Sequence, residues 1–374
     1  MKKTFRLFSI FHIPIEINYS WFIILGLVIF TLAKGYFPVT NPELGLGAYW
    51  LMAVISALLL FVSLLAHELA HSLIAQHYNI SIRSITLFVF GGVAQIEKEP
   101  QTPTVEFQMA IAGPILSFFL SFVFYSLTRI FYYLELSNAY VSISNYLFMI
   151  NFIVGIFNLI PGFPLDGGRV LRSIIWFFSK DLKKATTIAT GFGKFFAYAL
   201  MALGFVNLLS GSILSGIWII FIGLFLLESA EYSYKQVILK KMLSGIKVSA
   251  IMTPQVITLP ADIKLDKLIN EYFFRFRHSS FPILENDTVL GLITFHDIKN
   301  IPRENWANLS AKDAMQSIDR SLVINKDEDV TQALAKLANN GLGRALVIEN
   351  DKLIGIISQR DIMRLFEFKT EIDK

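Results

Sequence analysis

Leu58-Leu59-Leu60-Phe61-Val62-Ser63-Leu64-Leu65-Ala66-His67-Glu68-Leu69-Ala70-His71 begins as a run apolar enough to cross a bilayer and ends in two histidines around a glutamate. Ionisable groups at membrane depth are costly, so this placement marks a site of function. Histidines four apart share one helix face, about 6 Å from one another, and both imidazoles can reach a single zinc ion. Glu68, one residue on from His67, projects at another angle, suited to work on a water rather than to coordinate the metal. A chance H-E-x-x-H on a solvated helix does not account for the apolar run leading into it.

Working outward, the 374 residues are 54% hydrophobic and 17% charged, too apolar for one soluble globule, yet the last third reads as ordinary soluble protein. Two unlike parts are expected. With no cysteine, any transition metal must be held by His and carboxylate ligands. The net charge of +4 is mild and forms no basic stripe with interleaved aromatics, which argues against a nucleic-acid partner. Apolar stretches at 19–36, 49–75, 108–131, 143–160, 187–209 and 213–229 predict six spans. Basic residues gather on one set of loops (Lys2, Lys3, Arg6, Arg83, Lys98, Arg169, Arg172, Lys180), against only Lys34 and Arg129 opposite. The asymmetry places both termini in the cytoplasm, and the first span, lacking a cleavage site, reads as retained. Lys194, inside the fifth stretch, reads as snorkelling to the inner interface.

Residues 4–16 show partial alternation and predict one short strand at the membrane surface. Ile82 to Phe90, Gly91-Gly92 and Val93 to Ile96 predict a hairpin whose edge lies beside the metal motif. After Glu228 the composition becomes mixed, and 230–246 reads as an amphipathic linker helix. The remainder contains a repeat: Val248 to Met252 lies over Leu309 to Met315, and Gly291-Leu292-Ile293-Thr294-Phe295-His296-Asp297 over Gly355-Ile356-Ile357-Ser358-Gln359-Arg360-Asp361. Each copy predicts a helix (262–275 and 328–340), two short strands, and a helix opened by Thr294 or Ser358. The hydroxyl and the carboxylate three residues on also fit a simple capping box.

His67 and His71 leave zinc short of a third protein ligand. Asn158-Leu159-Ile160-Pro161-Gly162-Phe163-Pro164-Leu165-Asp166-Gly167-Gly168-Arg169 follows the fourth span, where prolines and glycines are expected to stop a regular helix. Spans two and four both run outside to inside, so this segment and the histidines share a depth, about 12 Å below the inner end of span two. Asp166 is the candidate ligand, with helix capping or pairing to Arg169 as its ordinary alternatives. Gly113-Pro114-Ile115-Leu116-Ser117 in the third span reads as small-residue helix packing.

With these residues in place, the chain resembles the site-2 protease family of intramembrane zinc metalloproteases, in the branch that carries C-terminal tandem CBS domains. H-E-x-x-H at 67–71, G-P-x-x-S at 113–117, and N-x-x-P with L-D-G-G across 158–168 occur in the family's order. The resemblance implies zinc ligands His67, His71 and Asp166, with Glu68 as general base and then acid. Asn158 is implied to orient substrate or to stabilise the oxyanion. The second proline, Pro164, stands one residue later than the family's common pattern, while the spacing from Asn158 to Asp166 is kept. The hairpin at 82–96 is similar to the family's substrate-binding re-entrant element, which implies contacts from Ile85, Leu87, Phe88 and Phe90. The repeat resembles paired CBS modules, which commonly bind ATP, AMP or another adenine nucleotide; Thr294, Asp297, Ser358 and Asp361 are the implied contacts, and a homodimer through the pair is compatible with it.

The expected architecture is a polytopic α-helical membrane protein of six transmembrane helices with short membrane-associated β elements, followed by a soluble α/β tandem CBS pair. The expected divisions are a membrane protease domain at 1–229, the linker at 230–246, CBS modules at 247–304 and 305–368, and a tail at 369–374. The expected activity is that of a zinc metalloendopeptidase with one Zn2+ per chain, cutting transmembrane substrates in the cell membrane under CBS control. The rival reading is a CBS-gated metal transporter or channel, for which ligands spread along a path would be expected instead of ligands gathered at one depth.

Overall fold

The computed structural model describes residues 4–89, 91–96, 100–319, 321–350 and 352–372, in two compact units that divide between Val237 and Ile238. Unit one opens with strands β1 (Thr4–Ile10) and β2 (Ile13–Asn18). Helix α1 (Ser20–Thr31) runs through a π-helical turn, Leu32–Tyr36, into the short α2 (Phe37–Thr40). Next come α3 (Leu46–His77), strands β3 (Ile82–Phe88) and β4 (Gly91–Ile96), and helices α4 (Pro103–Tyr133) and α5 (Asn138–Asn158). The unit closes with α6 (Asp166–Ser179), α7 (Leu182–Leu209) and most of α8 (Ile213–Leu243).

Six helical stretches are long and apolar enough to cross a membrane: Ser20–Thr40, α3, α4, α5, α7 and α8. Local chemistry sets their starts. Thr102 accepts a hydrogen bond from Val105 N–H ahead of Pro103, Ser137 caps α5, and Asp181 caps α7. The sixth helix does not stop at 229, because no glycine or proline interrupts Leu224 to Ser244. Most of the expected linker is therefore a continuation of the last span. Lys194 does not simply snorkel: its Nζ lies 2.9 Å from Glu231 Oε1, linking α7 to α8.

The four strands form one sheet in the order β1-β2-β3-β4. Residues 4–16 are not a single strand. They fold back at Phe11 (φ 49°) and His12 (φ 65°), a left-handed turn without the usual Gly, Asn or Asp, so the hairpin carried no local signal. The second strand then pairs in parallel with β3, Ile15 opposite Ile85 and Ile17 opposite Leu87. Ile13, Ile15 and Ile85 are fully buried against Leu65 and Leu69, which seats the sheet on α3 beside the H-E-x-x-H turn.

Unit two contains both repeats. The first has helical turns within 265–276, a hairpin of Ser280–Glu285 with Thr288–Thr294, and a helix at Phe295–Lys299. The second has a helix at Val330–Asn339, a hairpin of Arg344–Glu349 with Lys352–Ser358, and a helix at Gln359–Ile372. Each repeat lends its leading segment to the other: Thr253 bridges Ile356, and Gln316 pairs with Leu292. Val289, Leu292 and Leu346 close the apolar seam between them.

Candidate metal centre

Three side chains from two helices converge on one point. His67 and His71 on α3 are 4% and 5% exposed, with ring centroids 4.9 Å apart. Their Nε2 atoms are 3.2 Å from each other, and each is 3.1 Å from Oδ2 of Asp166, the first residue of α6. Tetrahedral zinc with bonds near 2.0 Å holds neighbouring donors about 3.3 Å apart, so two imidazoles and one carboxylate at these separations fit the ion. Among the described residues this is the one cluster of three such ligands.

The outer ring nitrogens are also engaged. Nδ1 of His71 donates to the Met109 carbonyl at 2.6 Å, and Nδ1 of His67 lies 2.8 Å from Ser117 Oγ. Hydrogens on both Nδ1 atoms leave both Nε2 lone pairs aimed at the common point, which fixes the tautomer and orients the rings. Gly113 lies between these two supports on α4, and a Cβ there would collide with both Nε2 atoms. Asp166 takes neither of its ordinary alternatives. The N-cap of α6 is Leu165 without a side-chain cap, and Arg169 lies toward Glu106 at 4.0 Å.

A model of peptidase family M50 matches residues 55–136 and 132–200, and a CBS-domain model matches 248–304 and 311–367. A Synechocystis protein named "Putative zinc metalloprotease sll0528" is 34% identical over 370 residues, covering 98% of this chain and 96% of its own. The chain belongs to the site-2 protease family, peptidase family M50. A zinc metalloprotease of Methanocaldococcus jannaschii is 32% identical over 377 residues, covering 100% of this chain and 99% of its own. A solved site-2 protease from the same organism aligns at 31% identity with TM-score 0.42, covering 61% of this chain and 94% of that one. The protein is thus a multi-pass membrane metalloprotease of the site-2 type with a tandem CBS tail.

Within this site-2 protease, Glu68 is half-buried and packs under the hairpin: a Cβ on Gly92 would stand 2.5 Å from Glu68 Cγ. Asn158 ends α5 with a half-buried amide that makes no side-chain hydrogen bond among the described residues. The glycines after Asp166 do not stop a helix; they begin α6. Backbone carbonyls of Leu159 and Ile160 press on Gly167, and Gly162 presses on Gly168, where any Cβ would clash.

The substrate contacts expected in β3 need correction. Ile85 and Leu87 are 0% and 5% exposed, and at these residues β3 has a strand on either side, so neither their side chains nor their backbone is open to a substrate. Phe88 is half-buried opposite Gly91, and Phe90 lies outside the described residues. The edge strands are β1 and β4, and β4 is the one that lies on Glu68.

In the tail, Thr294 with Asp297 and Ser358 with Asp361 both form capping boxes: in each, the hydroxyl and the N–H of the first residue donate to Oδ2 of the second. Their surroundings differ. Asp297 Oδ1 also accepts from Gln316 Nε2 at 2.9 Å, whereas Ser358 and Asp361 line a cleft of 460 Å³ with Arg277, His278, Arg344 and Arg360. Burial, with Arg360 alongside, pushes the Arg344 guanidinium below its usual pKa, although Asp361 opposes the shift. Sequence reasoning missed Ser117 and Met109 as supports of the histidines. The G-P-x-x-S pattern contained one of them, read there as packing.

Proposed function

We propose that this protein is a zinc metalloendopeptidase that hydrolyses peptide bonds of transmembrane substrates near the cytoplasmic face of the cell membrane, with both termini cytoplasmic. The observation carrying the reading is the meeting of His67 Nε2, His71 Nε2 and Asp166 Oδ2 within 3.2 Å of one another. Ligands gathered at one point beside a glutamate favour hydrolysis over conduction, which needs them spread along a path. Zinc held by His67, His71 and Asp166 would supply the Lewis acidity that activates a water and polarises the scissile carbonyl.

The chain's own groups do the rest. Glu68 takes the proton of the attacking water and returns it to the leaving amine. Asn158 donates its unpaired amide N–H to the developing oxyanion. A helical substrate hides its carbonyls in i to i−4 hydrogen bonds and must be unwound before attack. The open edge of β4 captures the unwound strand by backbone pairing, and Gly92 lets that edge lie directly on Glu68. In proteoliposomes holding a transmembrane substrate, Glu68→Gln is expected to keep its zinc and lose cleavage by at least about 100-fold. Undiminished cleavage would refute the mechanism.

The CBS pair is read as the nucleotide sensor of this protease. The cleft beside Asp361 has a volume suited to a small ligand, four basic side chains for phosphates, and a carboxylate for ribose hydroxyls. Gln316 already engages the corresponding Asp297, so one adenine nucleotide per chain is expected, at Ser358 and Asp361. Calorimetry with ATP and AMP on the detergent-solubilised full chain should give one site, lost in Asp361→Ala and kept in Asp297→Ala. A flat titration removes the sensor reading.

A further inference from the structure

One face of α4 carries the groups that hold both imidazoles and a buried carboxylate paired with α6. Glu106, Met109, Ala110, Gly113 and Ser117 recur at helical spacing and are buried or tightly packed. Met109 and Ser117 hold the two imidazoles, and Gly113 gives them room. Glu106, at the start of the stripe, is fully buried and is not among the hydrogen-bond partners of either histidine. Its Oε1 accepts from Arg172 Nε at 2.6 Å and from Arg172 Nη2 as well. Arg172 is 5% exposed and lies on α6, the helix that Asp166 begins. Its guanidinium also stacks over the Phe163 ring, 5.0 Å from the centroid, in the irregular stretch just before Asp166.

We propose that Glu106 and Arg172 are positioning residues for the zinc ligand Asp166, setting α6 and its preceding turn against the α4 face that fixes His67 and His71. The assignment rests on the reading of those three residues as zinc ligands and goes beyond it. The pair is poorly explained as a source of stability. Buried ion pairs recover little net free energy, and well-packed apolar residues of similar volume often do as well or better. Glu106 Oε2 moreover has no hydrogen-bond partner among the described residues, a cost that packing alone would not retain. What the pair does provide is direction. Its paired donors, a planar guanidinium stacked on an aromatic ring, and a carboxylate rooted in α4 define where α6 begins. Asp166 needs this support because Leu159 to Leu165, on its other side, is irregular backbone.

The test is a chelator-competition titration of zinc on the full chain in detergent, beside thermal unfolding of the metal-free protein. Glu106→Gln is expected to weaken zinc binding by about 10- to 100-fold, as loss of an outer support typically does. The apolar double variant Glu106→Leu/Arg172→Met should unfold at or above the wild-type temperature and still show the weakened zinc affinity, a split that a merely structural pair would not produce. Wild-type zinc affinity in either folded variant overturns the proposal. So does failure of both variants to fold, which would make the pair a folding element. Asp166→Asn separates the two levels: if it holds zinc as the wild type does, the ligand reading itself fails, whatever Glu106 does.

Discussion

Asp166 and Asp361 each stand in the first turn of a helix, yet their partners come from opposite kinds of place. Asp361 is held by Ser358, three residues back, and would be so held in an isolated turn. Asp166 is met by His67 and His71, far earlier in the chain. In the soluble unit, water can serve any polar group its neighbours leave unsatisfied, so local caps suffice. In the membrane unit such solvent is scarce, and the carboxylates of Asp166 and Glu106 meet imidazoles or a guanidinium on other helices. Polar residues there set how the helices face one another, and their removal is expected to cost function before stability.

The largest effect under this account is His71→Ala, which removes a ligand and should abolish both zinc retention and cleavage, read by metal analysis of the purified protein. A smaller but telling effect is Gly113→Ala. One methyl group aimed at both Nε2 atoms should weaken zinc binding by at least about 10-fold, while Gly35→Ala, with open space around it, should leave it unchanged. Equal zinc affinity in the two would show that α4 does not shape the site. The smallest effect belongs to the soluble unit. Asp329 accepts from Thr331 N–H and Oγ1 and from Gly245 N–H, and Asp329→Ala should cost about 1 kcal/mol, measured by denaturant unfolding. Burial raises the Asp329 pKa, but these hydrogen bonds outweigh it and hold it below the usual carboxylate value. Its contribution is therefore full above the unfolded pKa and is lost as pH falls through the folded one; a variant whose deficit persists unchanged in acid would contradict that.

The legible parts of the molecule were those with a period or a local chemistry. Apolar runs marked the six spans to within a few residues at most ends, H-E-x-x-H and L-D-G-G contained the three side chains that converge, and the repeat marked the tail. What stayed hidden was non-local or lacked a distinctive residue. The Met109 carbonyl supports His71 through a backbone group that any side chain could accompany. The turn at Phe11-His12 uses positive φ without a residue that favours it, so two strands read as one. The third strand looked like an edge because nothing in its own sequence announces that β2, from the amino-terminal end, pairs with it. In the sequence Arg172 counts only among the basic residues of one face and Glu106 draws no reading, their pairing being a fact of how α4 meets α6. Gly167 and Gly168 read as helix breakers, whereas their missing side chains admit the backbone of Leu159 to Gly162.

Zinc K-edge X-ray absorption on the purified, metal-loaded protein tests the central claim most directly. The account predicts two imidazole nitrogens and a carboxylate oxygen at about 2.0–2.2 Å, with the oxygen contribution changed in Asp166→Asn and the imidazole signature reduced in His67→Ala. A spectrum without imidazole scattering, or one identical in the wild type and both variants, would mean that these residues do not hold the ion.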